Sequence, residues 1–141
     1  MFRLFIRVML QTVMLGYSLC LLYWMFIGFG RVRHVGAPLS YNLMPFETIS
    51  LYVRHHNEVS TSTWFINLFG NVGVFVPFGL LLPILSKRLR SYMRLALLFV
   101  PCVIVLEFCQ MVLRVGSFDI DDVILNLLGV WIGYFIVKRF L

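Results

Sequence analysis

Glu107, Gln110 and Arg114 follow an i, i+3, i+7 pattern, Asp119, Asp122 and Asn126 repeat it, and Asn67 and Asn71 stand four apart. Residues at these intervals stack on one side of a helix, so each set marks a polar face. A carboxylate held out of water suits proton transfer when its pKa is shifted, which makes Glu107, Asp119 and Asp122 the candidate acid or base groups. Asp119, Asp121 and Asp122 place three carboxylates within four residues. They can cap a helix at its positive N-terminus with Arg114 as ion-pair partner, recognise a ligand, or hold a hard cation such as Mg²⁺ or Ca²⁺ against a phosphate. The three readings stand side by side. For Asn67, Asn71 and Asn126 the simplest role is interhelical hydrogen bonding, worth about 0.6 to 2 kcal/mol per contact.

Other chemistries find little support. The chain has no Ser-His-Asp set, no Cys-His pair, no Gly-rich phosphate loop and no recognised metal-ligand sequence. His34, His55 and His56 lack a matched ligand set, so no resident metal or cofactor is expected, and a cation at Asp119, Asp121 and Asp122 is the least favoured of their readings. Cys20, Cys102 and Cys109 all fall in apolar stretches, where a thiol packs as a small apolar group, and no structural disulfide is expected.

The elements that must position these residues are set by the solvent. With 61% hydrophobic residues, a mean hydropathy of +0.93 and 13% charge, 141 residues would leave too much apolar surface in water. A helix crossing a hydrocarbon core about 30 Å thick needs about 20 apolar residues. Four stretches approach that length, at about 8–30, 63–86, 95–113 and 120–137, the last extended by a snorkelling Lys138. The fold class is therefore all-α, an integral membrane four-helix bundle formed by one domain over residues 1–141. In such a bundle the polar faces turn inward, because an unpaired charge at depth costs several kcal/mol.

Lys and Arg flanking a span are retained in the cytoplasm. With both termini inside, Arg3, Arg7, Lys87, Arg88, Arg90, Arg94, Lys138 and Arg139 share the cytoplasmic side with no acid, while Glu47, Glu58, Asp119, Asp121 and Asp122 lie outside. Net basicity thus reads as topology with anionic lipid as counterpart, and no nucleic-acid partner is expected. The first span follows Arg3 and Arg7 like a signal peptide, but its apolar run exceeds the 7–15 residues of a signal core, and an uncleaved anchor is preferred.

The long outer connection, residues 31–62, carries Phe46, Ile49 and Val53 at helical spacing. A short interfacial helix with Arg54, His55 and Glu58 towards water and an ordered loop are both compatible with it. Ser60, Thr61, Ser62 and Thr63 offer N-caps for the second span, and Pro77, Pro83 and Pro101 are expected to bend the second and third. Gly129 and Gly133 form a small-residue stripe that allows close helix approach, within the chain or in a homo-oligomer.

Four ordered segments carry a resemblance: YNLMPFET at 41–48, NLFGNVGVFVPFGLLLP at 67–83, LEFCQ at 106–110 and SFDIDDVILNLLGVWIGY at 117–134. Together they closely resemble the VanZ-like family over roughly residues 38 to 137. The resemblance implies a small multi-pass protein of the bacterial cell membrane, in a family whose founding member confers low-level teicoplanin resistance. Its characteristic polar residues fall here on Asn42, Asn67, Asn71, Glu107, Gln110, Asp119, Asp121, Asp122 and Asn126. Relatives often carry Arg directly before the Ser of SFDIDD, whereas this chain has Gly116 there and Arg114 two residues earlier. Family membership does not define a reaction.

Two classes of function follow. In the first the chain is a binding protein: Asn42, Asn67, Asn71, Glu107, Gln110, Arg114, Asp119, Asp121, Asp122 and Asn126 line an outer site for membrane lipid, a lipid-linked cell-wall component or a lipoglycopeptide. In the second it is an integral membrane enzyme acting on a lipid-linked substrate through Glu107 and the Asp119, Asp121 and Asp122 cluster. The first is the leading expectation. A transporter is less favoured, because the chain lacks the inverted repeats usual in that class.

Overall fold

A backbone surrounded by apolar side chains must close its own hydrogen bonds, and helices do so within each segment. The computed structural model describes residues 1–28, 32–33, 35–36, 38–54 and 70–141, and among these five helices account for most of the chain. They are α1 (Phe2–Phe26), α2 (Glu47–Arg54), α3 (Asn71–Leu85), α4 (Tyr92–Leu113) and α5 (Ile120–Val137). Short extended segments β1 (Tyr41–Asn42) and β2 (Phe118–Asp119) pair in parallel, Tyr41 beside Phe118 and Asn42 beside Asp119.

Three segments, Leu4–Phe26, Tyr92–Leu113 and Ile120–Phe140, are long and apolar enough to cross a membrane. The fourth apolar helix, α3, covers 15 residues, about 22 Å of rise. It accounts for part of the expected 63–86 span, whose beginning, with Asn67 and the candidate N-caps, lies outside the described residues. Helix α1 starts at Phe2, where hydropathy had placed a span from residue 8, because the hydrogen-bond ladder continues through Arg7 while an apolar count stops at it. Helix α3 continues through Pro77 and Pro83, and α4 through Pro101.

The closest pair is α3 with α5, which run parallel. A Cβ on Gly129 would overlap the Val72 carbonyl, one on Gly133 the Val76 carbonyl, and one on Gly79 the Val130 carbonyl. Glycine at these points lets the two backbones touch. The Gly129 and Gly133 stripe is therefore covered by α3 of the same chain.

On α4 the buried positions are Leu95, Phe99, Val103, Glu107 and Gln110, spaced four, four, four and three apart. The polar face expected at Glu107 and Gln110 is thus a continuation of the apolar core stripe. Phe99 closes a triangle with Phe75 and Phe78, ring centroids 5.6 to 6.2 Å apart, in the tilted geometry that aromatic quadrupoles favour. Helix α1 is mostly exposed, and side-chain hydrogen bonds fasten it to α3 and α4. The Tyr17 hydroxyl donates to the Val74 carbonyl at 2.8 Å, and the Gln110 amide to the Met25 carbonyl at 2.7 Å.

Candidate functional site

Helix α4 ends in a left-handed residue, Arg114 (φ 59°, ψ 33°). The Arg114 amide donates to the Met111 carbonyl and the Val115 amide to the Gln110 carbonyl, both at 3.0 Å, which is the Schellman pattern usually built on glycine. Arg114 therefore leaves the helix. The stripe read as Glu107, Gln110 and Arg114 stops at Gln110, which reaches across to α1.

The turn after Arg114 delivers β2 and the start of α5, and here the three Asp residues take three different roles. Asp119 is the N-cap of α5: its Oδ1 accepts from the Asp121 amide at 2.9 Å. Its Oδ2 accepts from the Thr48 hydroxyl at 2.6 Å, and Thr48 Oγ1 in turn accepts from the Asn42 side-chain amide at 2.9 Å. Asp121 is fully buried, and its two oxygens accept from the backbone amides of Phe46 (2.6 Å) and Ile49 (3.0 Å) at the start of α2. Asp122, half-buried, receives the Asn71 side-chain amide from α3. Capping is thus realised twice, once within α5 and once across to α2.

The short helix expected around Phe46, Ile49 and Val53 forms, but it begins at Glu47. Phe46 precedes it with a φ of 66°, a conformation that costs an L-residue about 1 to 2 kcal/mol. That cost is met locally by turning the Phe46 amide into Asp121. His34, His55, His56 and Glu58 lie outside the described residues.

The remaining polar residues join this arrangement unevenly. Glu107 and Gln110 are buried on α4, and Asn126 is buried on α5 with its Oδ1 lacking a hydrogen-bond partner among the described residues. Among the described residues no three His, Cys, Asp or Glu side chains converge as metal ligands. Cys20, Cys102 and Cys109 are free thiols.

Two participants escaped sequence reasoning. Thr48 lies inside the YNLMPFET segment and bridges Asn42 to Asp119. Tyr52 lies one helical turn further along α2. Burial raises the pKa of its phenol, and the nearby charges of Asp122 and Asp119 raise it further. The i, i+4 spacing of Thr48 and Tyr52 was the available signal.

Alternation along the two short strands sorts the surroundings into a polar and an apolar side. Asn42 and Asp119 join the Thr48 chain, while Tyr41, Leu43 and Phe118 turn the other way and, with Phe108 and Met111 of α4, line an apolar cavity of about 300 Å³. The bridge separates a carboxylate network from an apolar pocket.

A profile of the VanZ/LLP1 family matches residues 14–141. Protein VanZ of Enterococcus faecium is similar to this chain, with 29% identity over 95 residues, 64% of this chain and 58% of that protein. The chain thus spans little more than half the length of that relative. No solved structure matches it significantly.

Proposed function

The chain belongs to the VanZ/LLP1 family, and from that premise we propose that it is a multi-pass protein of the bacterial cell membrane that binds an amphiphile at the outer leaflet. The observation that carries this reading is the two-sided bridge at β1 and β2. An amphiphile needs an apolar slot beside polar partners, and the Tyr41, Leu43 and Phe118 pocket adjoins the Asn42, Thr48 and Asp119 chain. The ligand class is a lipid-linked envelope component or the acyl-bearing end of a lipoglycopeptide such as teicoplanin. Occupation of the slot lowers the access of such antibiotics to their target. Both termini are assigned to the cytoplasm by the positive-inside rule, which puts the bridge outside.

Binding is favoured over catalysis because the oxygens of Asp119 and Asp121 are engaged by backbone and hydroxyl donors, a use that fixes structure. The test is teicoplanin and vancomycin susceptibility of a sensitive Gram-positive host expressing wild type, Tyr41→Ala/Leu43→Ala, Glu107→Gln or Asp119→Asn/Asp122→Asn at matched membrane levels. Teicoplanin protection by wild type that is lost in the pocket variant supports the reading. Absence of protection by wild type removes the antibiotic part of it. Turnover of a lipid-linked phosphate that disappears in Glu107→Gln would replace it with an enzyme.

A further inference from the structure

A separate site lies at the other end of the molecule. Helix α5 starts at the Asp119 network and runs 18 residues, about 27 Å. Beyond its end the Leu141 carbonyl accepts from Arg90 Nη1 at 3.1 Å. Arg90 also donates through Nε to the Pro83 carbonyl at 3.0 Å, one of the carbonyls that α3 leaves unsatisfied at its C-terminus. Arg94 Nη1 donates to the Arg88 carbonyl at 3.0 Å. These bonds fix the tight turn from Lys87 to Leu89, so the exposed Lys87 and Arg88 project from a rigid support.

That support faces α1. Arg7 joins Lys87, Arg88 and Arg90 around a cavity of about 670 Å³ whose apolar wall includes Leu10 and Ile84, and no carboxylate lines it among the described residues. Arg90 is engaged by the Pro83 and Leu141 oxygens, while the other three cations, Arg7, Lys87 and Arg88, repel each other around the cavity unless an anion sits between them. A second cavity, about 300 Å³ and almost wholly apolar, continues along the same helix between Met14 and Leu21 of α1, Phe78 and Leu82 of α3, and Phe99 and Val103 of α4. Its one hydroxyl, on Ser18, is satisfied by the Met14 carbonyl at 2.8 Å. Leu10 and Met14 are one turn apart, about 6 Å, so the apolar groove begins directly below the basic pocket.

A basic mouth above an apolar groove, at the membrane depth of a helix end, matches a phospholipid of negative charge. We propose that the cleft between α1 and α3 binds an anionic phospholipid, its phosphate among Arg7, Lys87 and Arg88 and one acyl chain along Leu21, Phe78 and Phe99. The positive-inside rule puts this site in the cytoplasmic leaflet, where anionic headgroups gather at basic pockets between helices. Bound there, the lipid fills the gap beside α1, of whose most apolar stretch only 6% is buried by the protein itself. The site shares no residue with the outer bridge, so the two readings fail independently.

The experiment is native mass spectrometry of the full chain in neutral detergent, titrated with phosphatidylglycerol, phosphatidylcholine and soluble glycerol 3-phosphate. Wild type is expected to hold phosphatidylglycerol roughly a hundredfold more tightly than phosphatidylcholine, through the three basic residues at its phosphate. The neutral variant Arg7→Gln/Lys87→Gln/Arg88→Gln should lose that preference. Cys102→Trp, which fills the groove from an exposed position, should weaken phosphatidylglycerol at unchanged charge. Equal retention of both lipids by wild type overturns the proposal, a result that needs no variant to fold. So does a preference that survives in the neutral variant, or glycerol 3-phosphate binding as tightly as the lipid, which would reduce the pocket to an anion site without a lipid tail.

Discussion

Asp121 accepts the Ile49 amide at 3.0 Å across 72 positions of sequence, so the first turn of α2 is closed by a carboxylate from α5. A helix of eight residues cannot sustain itself in water, because the nucleus costs more than so few bonds return. This one is held by the Asp121 pair of bonds and by Thr48 on Asp119. Helix α2 is therefore held to the start of α5 by side-chain bonds, beside the pairing of β1 with β2.

Asp121→Ala leaves two amides without their acceptors and should cost about 2 to 6 kcal/mol, at about 1 to 3 kcal/mol for each unsatisfied group. Asp121→Asn retains one acceptor and should lose about half as much. Hydrogen–deuterium exchange is the measurement: residues 46–54 should lose protection in the Ala variant while α3 and α5 keep theirs. Equal loss in all three elements would mean that Asp121 supports the whole bundle instead.

Arg114→Gly separates conformation from charge at the end of α4. Glycine takes the left-handed region without the penalty carried by arginine, so the variant should be more stable by about 1 kcal/mol in thermal unfolding. If the guanidinium serves the proposed site, the same variant loses whatever teicoplanin protection the wild type gives despite its higher Tm, and Arg114→Lys does not restore it at a site that needs the planar fork.

The glycines of α3 and α5 should divide sharply. Gly129→Ala drives a methyl into the Val72 backbone and should cost about 1 to 3 kcal/mol, as overpacking does. Gly73→Ala has open space at its Cβ and should be neutral or stabilising by up to about 1 kcal/mol. Tm values of the two variants in one detergent decide the point; a similar loss at both would contradict the α3–α5 register.

Tyr52 sets an alkaline limit on the outer cap. Its folded pKa lies above the ordinary 10.0, raised by burial and then by Asp122 and Asp119. The folded state thus holds the phenolic proton more tightly than the unfolded chain does. The associated stability is complete below pH 10.0 and is lost as the pH rises through the folded value. Tyrosinate absorbance of wild type minus Tyr52→Phe should appear at higher pH than that of free tyrosine, and coincidence with free tyrosine would remove the carboxylates from its surroundings.

Much of this was legible in the sequence where local signals and global packing agree. The stretch at 120–137 coincides with helix α5 because Asp119 caps it one residue earlier and the run from Val123 onward is almost wholly apolar. The short helix at Glu47–Arg54 was one of the two readings that the spacing of Phe46, Ile49 and Val53 allowed. Arg114 was misplaced because a helix end in the left-handed region is normally announced by glycine, and here Gly116 lies two positions late. Thr48 was invisible for a different reason: its partner Asp119 is 71 positions away, and no periodicity within one element encodes a bond between two. Neither hydropathy nor spacing could foretell that Asp121 would be the carboxylate that closes the first turn of α2, since that depends on where α2 comes to rest.

The glycine register between α3 and α5 also dictates an order of events during synthesis. Helices adjacent in sequence can pair as soon as both have emerged, but the tightest contact in this chain joins two parallel helices with α4 between them. Val72 and Val76 cannot meet Gly129 and Gly133 until the last helix has been made. Up to that moment the Val72 and Val76 side of α3 lacks its α5 partner, and the same late step brings Asp121 within reach of α2. Completion of the outer cap and closure of the interior are thus a single event, timed by the arrival of residues 120–137 at the ribosome exit.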